Sequence, residues 1–271
     1  MKRFPLLLFV CAFMVVPARG QLSVIGELSQ DRDARPGEKY EGIIIVRNDT
    51  DEPQEAKAYQ TDYLFYFNGT NNYGEPGSAA RSNARWVTFS PASFVVPPQS
   101  SVTVNYTISV PADSMGAPLV GSYWSMLMIE GIGKGSAEST LPPDPGKTQM
   151  GIQQTIRYGI QLATHIAQTG VKKISFLNAQ LVTKDDGGRF LQVDIENTGD
   201  LGIRPEVYVE LFDESGASVG RYEGNRYRMY PGTSVRQMIN LSKAPLGNYR
   251  ALVVVDTGGD DVFGAQYTIK L

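Results

Sequence analysis

Histidine and cysteine are almost missing: 271 residues contain one of each, His165 and Cys11. A zinc centre or a catalytic triad assembled from histidines and cysteines is therefore excluded, and His165 reads as a polar surface or hinge residue. Long apolar runs are missing too. Residues 6–16 form an apolar stretch of about eleven residues, too short to span a bilayer, and no later stretch could serve as a transmembrane helix. There is no basic excess, the net charge being −3. Without a basic face the chain is not built for a phosphate backbone, so nucleic acid is not an expected partner. Strong helical periodicity is absent. Paired carboxylates can hydrolyse sugars, but nothing in the order of Asp and Glu marks a cleft, so no enzyme activity and no cofactor is expected.

What is present begins with an export signal. Lys2 and Arg3 precede the apolar run, and Ala18-Arg19-Gly20 puts small residues at −3 and −1, so residues 1–20 read as a signal peptide cleaved before Gln21. Cys11 does not fit a lipidation site, because Phe9 and Val10 stand where small residues are wanted. The mature chain then carries no cysteine and must be held by its core rather than by disulfides. Loss of Lys2, Arg3 and Arg19 moves the net charge from −3 to −6. Such a protein is exported, periplasmic and not inserted in a membrane once the signal is removed. It is long enough for two domains of ordinary size.

Short β-rich runs recur between Gly, Pro, Asn and Asp clusters, the pattern of a sandwich. Strands are predicted at 22–28, 40–48, 55–67, 86–90, 93–96, 101–110, 121–130 and 152–166. A joint follows at 168–172, then strands at 174–183, 190–197, 204–213, 218–222, 234–241, 249–256 and 262–271. The expectation is an all-β chain of two immunoglobulin-like sandwiches in tandem, residues 21–168 and 169–271. Arg35-Pro36-Gly37-Glu38 reads as a turn, Pro presetting φ and Gly accepting φ > 0. Residues 68–84 make a longer loop than a sandwich needs. They read either as a loose insertion or as a recognition loop with Tyr73, Arg81, Arg85 and Trp86 as contacts.

The stretch GIQQTIRYGIQLATHI at 151–166 carries the most information. Ile152, Ile156, Tyr158, Ile160, Leu162 and Ile166 share one parity, a period of two. It follows a polar, Pro/Gly-rich segment at 131–150 and an aromatic strand, GSYWSMLMIE. Its apolar face either covers its own core or is lent to another protein. An exposed apolar edge is otherwise an aggregation hazard.

A strand ending in Asn48, the turn Pro97-Pro98-Gln99-Ser100-Ser101-Val102, Gly121-Ser122-Tyr123-Trp124 and the final Ile160-Gln161-Leu162 occur in the order found in periplasmic pilus-assembly chaperones. Residues from about 21 to 165 resemble the N-terminal domain of that family. The second half looks like an immunoglobulin-like module less close to the chaperones' own C-terminal domain. The resemblance implies a non-enzymatic protein that binds an exported, pilin-like or other surface-assembled subunit by strand addition. It implies Ile152, Gln154 and Ile156 as donor positions, with Tyr158 next along the same parity. It also implies a cleft contact at Arg157 and Gln161. Gln161 stands where the family has a lysine that anchors a terminal carboxylate, and Arg157 shares its strand face. For the second basic residue of that cleft, Arg32 and Arg35 are the candidates. The alternative function is a structural or adhesive surface module that presents loops such as 68–84.

The remaining motifs read more plainly. Asp256, Asp260 and Asp261 suit a hairpin loop, with oxygen ligation of Ca²⁺ as the other reading. Asn48, Asn68, Asn105 and Asn240 head glycosylation sequons, which matter only in a eukaryotic secretory path. Tyr123, Trp124 and Tyr158 read as core.

Overall fold

A computed structural model describes residues 22–114, 116–142 and 155–271 of the chain. The expected signal peptide and the donor positions Ile152 and Gln154 lie outside the described residues. Within them the protein is all-β, and it forms two immunoglobulin-like sandwiches in tandem.

In the first sandwich, one sheet has the order β1 (Ser23–Ile25), β3 (Lys39–Asn48), β8 (Ser100–Ser109), β6 (Val87–Ser90). The facing sheet runs β2 (Ser29–Ala34), β10 (Arg157–Ile166), β9 (Ser122–Ile132), β4 (Gln54–Phe65), β5 (Asn71–Gly74), and β7 (Ser93–Val96) also pairs with β4. In the second, β11 (Ile174–Thr183), β12 (Arg189–Asn197) and β15 (Ser234–Asn240) face β14 (Ser218–Glu223), β13 (Glu206–Phe212), β16 (Asn248–Asp256) and β17 (Val262–Lys270).

The strand expected at 22–28 is shorter, β1, and a second strand, β2, follows where none was expected. β1 pairs with β3 in one sheet; the chain turns at Gly26, whose φ of 105° a side chain would resist, and re-enters the other sheet as β2, parallel to β10. The β2 sequence, SQDRDA, alternates no apolar residues, which is why no strand was expected there. It is a strand because the edge of β10 offers it hydrogen-bonding groups. Loop 68–84 also holds more structure than expected: β5 and, at its end, a single 3-10 turn at Ala84–Trp86.

Alternation in the strands builds the cores. Ile44 and Val46 of β3, Val104 and Ile108 of β8, Leu127 and Ile129 of β9, and Ile160, Leu162 and Ile166 of β10 meet in the first. Val193 and Ile195, Val207, Val209 and Leu211, and Ala251, Val253 and Val255 meet in the second. Burying each large aliphatic side chain contributes ~1.5–3 kcal/mol.

The two sandwiches repeat one device. Asn48 ends β3 fully buried; its Nδ2 donates to the carbonyls of Glu52, Val96 and Pro97, and its Oδ1 accepts from Thr50 N. Asn197 ends β12 fully buried; its Nδ2 donates to Leu201 and Met229, and its Oδ1 accepts from Gly199 N. Each amide satisfies loop carbonyls that would otherwise be left unpaired in the interior. Asn48 is thus spent on packing and is no acceptor for a glycan.

Candidate functional site: the edge of β10 and the joint beside it

β10 changes its surroundings halfway along. From Arg157 to His165 it is paired with β9, Arg157 opposite Glu130 and His165 opposite Ser122. On its other side β2 covers only Gln161 to Ile166. Among the described residues, 157–160 therefore have a ladder on one side only. Gly131 N donates to Ile156 O at 3.2 Å, and Gln161 N donates to Leu28 O at 2.9 Å. Ile156 and its even-numbered successors thus bond to β9, while odd residues point to the β2 side. By that alternation the N–H and C=O of Arg157 and Gly159 face the side that β2 has not reached.

The side chains divide the same way. Tyr158, Ile160, Leu162 and Ile166 turn into the first core, with the Tyr158 hydroxyl donating to Leu22 O at 2.9 Å. Ile156 is half-buried at the mouth of this row. The opposite parity, Arg157, Gly159, Gln161, Ala163 and His165, lies on the outer face of the sheet. Arg157 is 61% exposed and its Nε stands 2.8 Å from Glu130 Oε2. Partial burial would raise the Glu130 carboxyl, but the Tyr59 hydroxyl and the Arg157 guanidinium hold it below the ordinary range. A Cβ on Gly159 would lie 2.0 Å from Met126 Cε, the movable end of the methionine that covers it.

Further along, that face meets the second sandwich. Trp124 and Tyr230 stack with centroids 4.6 Å apart and planes 9° off parallel, with Ala163 in the same buried cluster. Trp124 Nε1 donates to Tyr63 O at 3.0 Å. Trp124 is core, as expected, but its parity on β9 turns it outward, and the second sandwich helps to bury it. Tyr123, on the other parity, packs on the first core. Burial pushes the Tyr230 hydroxyl up to about 12. That hydroxyl donates to Gln161 Oε1 at 3.4 Å, so Gln161 faces the joint between sandwiches, whereas Arg157 is occupied at the sheet edge by Glu130.

A second cluster spans the joint. Ser122 Oγ accepts from Gly202 N at 2.7 Å and lies 2.7 Å from His165 Nδ1. His165 Nε2 is 3.2 Å from Asp31 Oδ1, and Arg228 Nη1 reaches the same oxygen at 2.5 Å. Partial burial would raise the Asp31 carboxyl, but the His165 hydrogen bond and the Arg228 charge hold it below the ordinary range. A serine, a histidine and an aspartate do meet, which the exclusion of a triad from one histidine did not foresee. Ser122 is fully buried and its oxygen is engaged by Gly202, so the trio joins two sandwiches and has no face for a substrate. Neither Arg32 nor Arg35 joins this cluster. Arg32 lies over the Tyr40 ring at 5.3 Å, on the opposite face of β2, and Arg35 sits in the turn whose backbone N–H donates to Glu38.

Loop 68–84 is also used internally. Buried Asp62 accepts from Gly77 N, Ala79 N and the hydroxyls of Ser78 and Ser82. The loop so held directs Arg81 to Asp200 and to Val120 O, with its guanidinium 5.5 Å over the Tyr123 ring. Trp86 packs against Tyr123 with centroids 4.8 Å apart. Two of the four expected recognition contacts are thus engaged within the chain, while Tyr73 remains 60% exposed. At the same joint a Cβ on Gly121 would lie 2.1 Å from Asp200 O, a close approach only glycine permits. Asp31, Ser122, Arg228 and Tyr230 were not singled out from the sequence as joint residues: only Ser122 lies in a motif, Gly121-Ser122-Tyr123-Trp124, and nothing there marks it as a contact. The polar residues within aromatic or turn segments were the only signal.

No family model matches the chain, and no curated protein matches its sequence. Among solved structures it is similar to the class 5 fimbriae chaperone CfaA, at 12% identity over 92% of this chain and 100% of that one, with a TM-score of 0.47. It is similar to a chain of the CsuC–CsuE chaperone–tip adhesion subunit pre-assembly complex of Acinetobacter baumannii, at 12% identity over 91% and 98%, with a TM-score of 0.45. The E. coli chaperone DraB is similar at 16% identity over 92% and 98%, with a TM-score of 0.42.

Proposed function

We propose that this protein is a periplasmic, non-enzymatic, chaperone-like binder of an exported, surface-assembled subunit, and that it binds by strand addition to β10. In this reading residues 1–20 are the export leader. Residues 21–168 form the domain that offers the strand, and residues 169–271 form the second domain. Ile152, Gln154, Ile156 and Tyr158 supply the alternating side chains, and Arg157 and Gln161 are the flanking polar contacts. One observation carries the proposal: β2 covers only Gln161 to Ile166, so among the described residues 157–160 keep an unpaired side on a strand otherwise central in its sheet. Main-chain groups of that kind recruit an extended segment, and alternate side chains select it. The surface-module alternative has less support, since Arg81 and Trp86 of its loop are engaged internally.

The test is capture of partners by the tagged protein from its own periplasm, identified by mass spectrometry. A small exported β-protein should be recovered with the unaltered chain and with Arg157→Ala. It should be lost with Arg157→Pro, which removes an N–H from the open side while leaving the β9 ladder alone. Ile156→Asp should also lose it and stay folded. Equal capture by Arg157→Pro and Arg157→Ala, or an unfolded Ile156→Asp, would sink the strand-addition reading.

A further inference from the structure

We propose that β17 is a self-association surface, on which a second copy of this chain pairs antiparallel through the same strand. The inference lies on the second sandwich and does not depend on the strand-addition reading of β10.

Among the described residues β17 pairs with β16 and with no other strand, and its register is unbroken from Asn248↔Lys270 to Asp256↔Val262. It spans nine residues, VFGAQYTIK, with no proline and no bulge. Edge strands in monomers are usually short, bulged or bear charges on their core face. β11, the edge of the opposing sheet, does carry a bulge, between Phe176 and Asn178. On β17 the charged Lys270 lies on the outward parity at the strand's end.

The core face of β17 is incompletely covered. Three strands oppose four in this sandwich, and β11 lies over β17. Phe263, Ala265 and Tyr267 turn toward the core yet remain half-exposed, and only Ile269 is buried. An added strand in the same sheet would cover that overhang.

The strand is complementary to itself. In a two-fold arrangement with Ala265 on the axis, Phe263 lies opposite Tyr267 of the second copy on the core face. Val262 lies opposite Thr268 of the second copy on the outer face. Asp260, in the turn just before the strand, lies near Lys270 at the end of the second copy's strand, and symmetry repeats each pair. Aromatic pairs and opposite charges directly across strands are both favourable. Asp260 and Lys270 are exposed, so both are available. Asp261, beside Asp260, is bridged by Lys172 of its own chain at 3.2 Å, which leaves Asp260 as the acidic residue of the pair.

Sedimentation equilibrium of the full chain over rising concentration tests this. The unaltered protein should show a monomer–dimer equilibrium. Lys270→Asp sets like charges across both ends and should weaken the dimer about tenfold. The swap Asp260→Lys with Lys270→Asp should bring the dimer back to within about threefold of the unaltered protein. A chain that stays monomeric at every concentration would overturn the proposal. So would a dimer indifferent to Lys270→Asp, or a swap that fails to restore it. Both positions are exposed, and restoration in the swap separates charge pairing from misfolding.

Discussion

β10 and β17 are both strands with one clean apolar parity, and both have an unpaired side, yet they are open for opposite reasons. β10 is central in its sheet and, among the described residues, is left open over 157–160, where the N-terminal segment spends its first strand, β1, in the opposite sheet. β17 is an edge along its whole length, since among the described residues only β16 pairs with it. An open side is therefore not a property of the strand that bears it. It is decided by where another segment goes, and the same alternation can serve a core, a partner or a second copy.

That comparison can be broken most strongly at the joint. Trp124→Ala should cost about 3–5 kcal/mol, because it empties the stack on Tyr230 that holds the outer face of β9 against the second sandwich. Chemical denaturation measures it, and a loss under about 1 kcal/mol would mean the joint contributes little. Next, Ile160→Ala on β10 should cost about 2–5 kcal/mol, whereas Val262→Ala on the outward face of β17 should stay within about 0.5 kcal/mol. The former is fully buried and the latter 55% exposed. Similar losses at the two sites would show that the parity assignments are wrong.

Smaller effects sharpen the picture. Arg157→Pro and Arg157→Ala should differ in stability by no more than about 1 kcal/mol, since the backbone of residue 157 gives no hydrogen bond to β9 and both variants lose the ion pair with Glu130. Only the proline variant should lose a captured partner. Acid should weaken the joint and the β10 edge together. Asp31 and Glu130 both titrate below their ordinary values of 3.8 and 4.5. Their depressed values add stability that is complete above those ordinary values and is lost as pH falls through the lower folded ones. Denaturation midpoints should thus owe no loss to these groups between pH 7 and about 5 and decline below about 4.5, the decline being shallower in Asp31→Asn. A midpoint in Asp31→Asn that falls as steeply as in the unaltered chain would remove Asp31 from the account.

Much of the fold could be read from the chain because alternation is a local signal. Val193 and Ile195, and Val207, Val209 and Leu211, announce their faces through their immediate neighbours, whereas Ile43 to Val46 and Met126 to Ile129 are apolar throughout and only packing decides their faces. Asn48 and the Pro97-Pro98 break marked strand ends for the same reason. β2 could not be read, since SQDRDA is a strand only by virtue of β10 beside it. Trp124 was legible as core but its neighbour Tyr230 was not, because alternation shows that two faces differ without showing what covers the outer one. The candidate edge at Arg157 was legible as a strand, but its open side depends on a turn at Gly26, some 130 residues earlier in the chain.

The sequence by itself determined that this chain is β throughout and which parity of most strands is apolar, because a two-residue period and its turn residues act over a few bonds. Only the tertiary structure decided which strand sides stay unpaired, and that Trp124, Tyr230, Asp31, His165 and Arg228 meet at one joint. Those outcomes depend on backbone hydrogen bonds and contacts between segments far apart in the chain, and no local pattern encodes them.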